Sequence, residues 1–183
     1  MNANDVLIDL LNDNVRRLHR VMDAINEDCL YWTPDPEANS IAVTVWHMGR
    51  LFDVFLTQQA QGKQATNEVW FSSGWAERTG YDPRGIGRDG WGSVNGYGRE
   101  EVAAIPHFSR EELLGYSDDV ADGVTAFLSE TRIEELLQAG VGFEGKYTKY
   151  QIIQMALLDN VRHLGEVFAL KAMWERKREH AEV

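Results

Sequence analysis

The sequence predicts an all-α fold, a four-helix bundle. Three observations lead there. Four long stretches carry apolar residues at helical spacing, their starts are marked by capping residues, and no run alternates apolar and polar as a half-buried strand would. Across 183 residues, 44% hydrophobic and 26% charged, that is one domain, 1–183, with enough apolar surface for a core.

The first helix is expected from Asp5 to Glu27, with Leu7, Leu10, Leu11, Leu18, Val21, Met22 and Ile25 inward and Asn4 as N-cap. Thr33-Pro34-Asp35-Pro36 then breaks the chain, because a residue before proline is pushed out of the α region. Ser40, or Asn39, caps the second helix, Ile41 to about Gln61. Its two apolar stripes, one containing Val43, His47, Leu51 and Val54, mark a helix packed on several sides.

From Gly62 to His107 the periodicity is lost. Eight glycines follow Gly62 in this stretch, yet so do Trp70, Phe71, Trp75, Tyr81, Trp91 and Tyr97. Disordered linkers avoid aromatics, so an ordered excursion with a short helix or two is expected, folded over the domain. Its tryptophans stand either as pocket lining or as packing. Ser109-x-x-Glu112 is a capping box opening a third long helix with Leu113, Val120, Val124 and Phe127 inward. Thr131-x-x-Glu134 opens a short helix ending at Gly140, and Thr148-x-x-Gln151 opens the last, Gln151 to Arg178.

Within that last helix the apolar arc is interrupted by Asp159 and His163. Four residues apart, they lie about 40° from one another on one face, a turn apart. Burying a carboxylate and an imidazole is costly unless something pairs with them. A divalent metal is one such partner, and His47, on another helix with apolar neighbours, is a third candidate ligand. Two histidines and a carboxylate leave positions open for water or substrate, as in catalytic rather than structural sites. Glu166, about 20° beyond Asp159 on the same edge, is a candidate fourth ligand, outer partner or general base. A plainer reading stays open, in which His163 and Asp159 are a hydrogen-bonded core pair. His19, His107 and His180 are weaker candidates: a bundle edge, a loop and a tail.

Other chemistries are disfavoured. The sequence has no G-x-S-x-G elbow and no Walker loop, and the run Gly85-Ile86-Gly87-Arg88-Asp89-Gly90 lacks a preceding strand. Cys29 follows Glu27 and Asp28, an acidic setting that raises a thiol pKa. A net charge of −11 repels phosphate backbones, so no nucleic-acid partner is expected. With one cysteine, no apolar run of membrane-spanning length and no signal-peptide pattern, a cytoplasmic protein is the expectation.

The segment Leu30-Tyr-Trp-Thr-Pro-Asp-Pro-Glu-Ala-Asn-Ser-Ile-Ala-Val-Thr-Val-Trp-His47-Met and the run Arg162-His163-Leu-Gly-Glu166 resemble the DinB-like (YfiT-like) family of metalloenzymes. The resemblance spans nearly the whole chain. It implies an up-down-down-up four-helix bundle, often a homodimer, and a divalent metal on three histidines, one on the second helix and an H-x-x-x-H pair on the last. His47 matches the first and His163 the third, whereas the middle position is Asp159, a donor set that suits zinc, nickel, manganese or ferrous iron. Relatives include transferases and isomerases that use low-molecular-weight thiols such as mycothiol, bacillithiol or glutathione. The resemblance therefore implies a metal-dependent, thiol-dependent S-transferase or isomerase acting on a small electrophile. The alternatives are a metal-dependent hydrolase with Glu166 as base, and a non-catalytic small-molecule-binding or stress-associated dimer. Arg50 and Arg162, beside the histidines in sequence, are candidates for cosubstrate carboxylates, although their helix phases point away from the ligands.

Overall fold

A computed structural model describes residues 3–181, and these are all-α; among them there is no strand, only an isolated bridge between Ala139 and Thr148. The long helices are α1 (Ala3–Met22), α3 (Ile41–Val54), α7 (Arg110–Glu130) and α9 (Lys149–Ala181). Between them lie the short helices α2 (Glu27–Tyr31), α4 (Val69–Ser72), α5 (Trp75–Thr79), α6 (Arg99–Ala103) and α8 (Ile133–Leu136). Helix α1 packs on α7 and α9, and α3 packs on the same two, so the long helices close a ring around one core. Helix α3 is the central one, with all but one of its residues buried.

Local chemistry sets most helix starts. Ser40 Oγ accepts from Val43 N, and the Ser109–Glu112 box closes in both directions. So does the Thr148–Gln151 box before α9. Three expectations are corrected. Asn4 does not cap α1 but lies within it, its Nδ2 donating to the Leu128 and Thr131 carbonyls at 2.7 and 2.8 Å. The first helix stops at Met22, and the expected final turn is replaced by α2, which Asn26 caps through Cys29 N. Thr131 closes α7 by donating to the Phe127 carbonyl, and α8 starts without a side-chain cap.

Past Val54, α3 continues as a wider π-helical turn, Phe55–Ala60. That turn leaves the Gln59 carbonyl free to accept from both Val141 N and Gly142 N at 2.9 Å, tying the segment before α9 to α3.

The excursion is ordered and carries three short helices, α4 to α6. Trp70 and Trp75 are packing residues. Trp70 sits edge-on to Trp46, Phe108 and Tyr116, while Trp75 Nε1 donates to Asp119 Oδ2 at 2.8 Å. Trp91 is half-buried against Phe55 and Phe143. Asp53 of α3 fastens the start of α4 by accepting from Val69 N and Trp70 N, both at 2.9 Å, and from Tyr116 Oη at 2.9 Å. Fully buried Arg50 stands between Asp53 and Glu68. Its Nη1 lies 2.8 Å from Glu68 Oε2, an ion pair by distance whose angles miss those of a hydrogen bond.

Candidate metal centre

The α3–α9 contact brings His47, Asp159 and His163 together, with one donor atom from each residue lying within 4.8 Å of the other two. Asp159 Oδ2 is the meeting point, 3.2 Å from His47 Nε2 and 3.5 Å from His163 Nε2. The imidazole planes cross at 81°. His47 is buried, Asp159 nearly so, and His163 is partly open to solvent, so access is from the α9 side.

Each imidazole is held from behind. His47 Nδ1 donates to the Ser93 carbonyl, and His163 Nδ1 donates to Glu166 Oε2 at 2.7 Å. A carbonyl or carboxylate oxygen only accepts, so the proton of each neutral ring belongs on Nδ1 and the lone pair on Nε2, facing Asp159. Metal-binding histidines are oriented in this way. Arg162 bonds Asp159 Oδ1, which leaves Oδ2 for the cluster. Burial pushes the Asp159 carboxyl up. When the rings carry protons on Nε2 in place of a metal, hydrogen bonds from His47 and Arg162 and the charges of His163 and His47 outweigh burial and hold the carboxyl below the usual range.

These residues fit a divalent cation. Two imidazole lone pairs and a carboxylate oxygen repel one another unless a cation or added protons join them. A tetrahedral ion with bonds of about 2.1 Å separates its ligand atoms by about 3.4 Å, and the separations from Asp159 Oδ2 lie on either side of that value.

The excursion supplies the hold on His47. The successive carbonyls of Trp91, Gly92 and Ser93 all accept from α3: the first two from Arg50 Nη2 (3.1 Å) and Nε (3.3 Å), the third from His47. Val94, next in the chain, has φ +72°, a conformation that costs a β-branched residue on the order of 1–3 kcal/mol and recurs at functional sites. Gly92 is required where it stands. Its φ is +62°, and a Cβ there would lie 2.3 Å from the Pro83 carbonyl oxygen.

A model of the DinB superfamily matches residues 10–167. The chain belongs to the DinB superfamily. A crystal structure of a conserved Enterococcus faecalis protein is similar in fold to this DinB chain, with TM-score 0.76 and 17% identity over 93% of this chain and 96% of that one. A comparison with curated protein sequences found no match.

Of the residues expected at the DinB site, His47, Asp159 and His163 converge, and Glu166 lies against the outer nitrogen of His163. Arg50 is removed from any cosubstrate role, because it is enclosed by Asp53, Glu68 and loop carbonyls. Arg162 reaches the site after all, bending back three residues to Asp159. The other histidines lie elsewhere: His19 pairs with Asp118 at 2.7 Å, His107 stacks on Tyr31, and His180 is in the last turn of α9. The Cys29 thiol is raised as expected, but chiefly by burial and then by Glu175, not by Glu27 and Asp28. Ser93 and Val94 escaped the sequence reading, since a backbone carbonyl leaves no mark in residue identity. Among the described residues, no helix is long and apolar enough to cross a membrane.

Proposed function

We propose that the protein is a divalent-metal-dependent enzyme that conjugates a low-molecular-weight thiol to a small electrophile, or uses the thiol to isomerise one. The observation that carries the metal reading is the pair of imidazoles anchored at Nδ1 with both Nε2 atoms turned to one Asp159 oxygen. The thiol reading is supported by the DinB resemblance.

His47, Asp159 and His163 would hold the ion, Asp159 through Oδ2. When bound there, a divalent cation retains a net positive charge beside one carboxylate and stabilises a thiolate near neutral pH. The protein's own part is positioning. Ser93 and Glu166 fix the two rings, Arg162 selects the free oxygen of Asp159, and the half-open face at His163 admits the small molecules. Glu166 acts as a positioning residue in this scheme, because its carboxylate is engaged by His163. That counts against a hydrolase in which it serves as base.

The test is elemental analysis of purified protein with His47→Ala, His163→Ala and Asp159→Ala, alongside a thiol-conjugation assay on a chromogenic electrophile. Metal near one equivalent per chain, lost in all three variants, with conjugation lost in folded His47→Ala, is expected. Turnover without thiol would favour the hydrolase. No metal after reconstitution with zinc, nickel, manganese and iron would overturn the enzyme reading and leave a binding protein.

A further inference from the structure

The core side of α9 is apolar, with Ile153, Leu157, Leu164 and Val167 among its residues, but Asn160 interrupts it. Asn160 is only 9% exposed, and its Oδ1 accepts from no group among the described residues. A buried amide oxygen without a donor costs stability that a leucine of similar length would not. The side chain lines a hollow of about 20 Å³ at the centre of the bundle, to which all four long helices contribute: Asn14 from α1, Met48 and Phe52 from α3, Ser117 and Ala121 from α7.

Size and chemistry restrict what this hollow can take. About 10–15 Å³ of open space is enough for one water molecule, and the hollow exceeds that. A cation would call for a carboxylate, yet among the described residues no charged side chain lines the hollow. An apolar occupant would leave Oδ1 unpaired. Water both donates and accepts.

We infer that the hollow holds one resident water molecule, which donates to Asn160 Oδ1 and Ser117 Oγ and accepts from the Asn14 amide. Ser117 Oγ already donates to the Leu113 carbonyl at 2.9 Å, so its lone pairs are what it has left to offer. Asn14 is 6% exposed and its amide carries two N–H donors. Three hydrogen bonds is the usual complement of a buried water.

The bridge has a place in the architecture. Helices α1 and α3 each pack on both α7 and α9, which puts α7 and α9 at opposite corners of the ring. Ser117 belongs to one and Asn160 to the other, so the water spans the diagonal. Met48 directly follows His47, and Asn160 directly follows Asp159, so the water stands level with the metal centre on its core side. It ties the helix that carries Asp159 and His163 to the helix across the bundle.

Oxygen-17 relaxation dispersion on the full chain as purified tests this, because it counts waters held longer than the protein takes to tumble. Asn160→Leu should lose one such water per chain relative to wild type, with helicity unchanged. Ala121→Val, which fills the hollow from α7, repeats the test if that variant fails to fold. Samples matched in metal content make water on a bound ion cancel in the difference, so this proposal and the metal reading fail separately. An unchanged count in a folded variant overturns the proposal. Loss of several waters also overturns it, in favour of a channel open to solvent. A wild-type melting temperature that responds to sodium or ammonium against a larger cation at equal ionic strength would overturn it in favour of a cation site.

Discussion

Removing Glu166 is expected to weaken the metal site without abolishing it. Its Oε2 lies 2.7 Å from His163 Nδ1, on the side of the ring away from Asp159, so it holds the imidazole rather than the ion. Losing such an outer partner costs about 10- to 100-fold in metal affinity. The Glu166 side chain is 40% exposed, so water replaces much of the lost bond, and Glu166→Ala belongs at the low end, about tenfold, or about 1.4 kcal/mol. Glu166→Gln still offers an oxygen to Nδ1 but no charge. A neutral bond is worth about half a charge-assisted one, which leaves a loss of about threefold. Competition against a metallochromic chelator at fixed pH, with helicity monitored in parallel, measures both. Affinity equal to wild type in Glu166→Ala would refute the positioning role. Loss as complete as in His163→Ala would make Glu166 a ligand and overturn the assignment in the opposite direction.

Two further predictions concern the buried network. Arg50→Ala strands Asp53 and Glu68 without their cation, which should cost about 3–5 kcal/mol in a thermal or urea melt. It also frees the Trp91 and Gly92 carbonyls, so metal affinity should fall with stability, and a variant that melts like wild type would refute the network. The second is a pH slope. Burial is the largest influence on both Glu68 and Asp53 and pushes both carboxyls up against the lowering effect of Arg50. The folded state therefore keeps these protons to higher pH than the unfolded chain. The associated stability is present below the ordinary Glu value of 4.5 and is lost as pH rises through the raised folded value. Melting temperature should decline as pH rises above the ordinary carboxylate range, and Glu68→Gln should decline less steeply; an unchanged slope would remove Glu68 from the account.

The sequence made the helices and the Asp159–His163 pair legible because both rest on local spacing. Ser40, Ser109 and Thr148 cap through neighbours three residues away, and Asp159 and His163 share a face through the helical repeat alone. What stayed hidden depends on partners distant in the chain. Asn4 has the composition of a cap, but its donors are drawn to carbonyls more than 120 residues away. Thr131 matches the capping-box pattern yet bonds backwards into α7. Arg162 reaches Asp159 because a long side chain spans the gap that helix phase alone treats as decisive. Leu158, Val161 and Phe168 of α9 are exposed, yet in sequence they are indistinguishable from a second core face, since periodicity records that a face is apolar but not what covers it.

The row of carbonyls from Trp91 to Ser93 bears on how this segment tolerates change. Every amino acid carries a backbone carbonyl, so these hydrogen bonds to Arg50 and His47 are indifferent to the side chains at 91 and 93. Substitutions there leave the histidine's proton on the same nitrogen. Inserting or deleting a single residue shifts every carbonyl off its donor at once. Freedom of identity and strictness of length thus coexist within three consecutive residues.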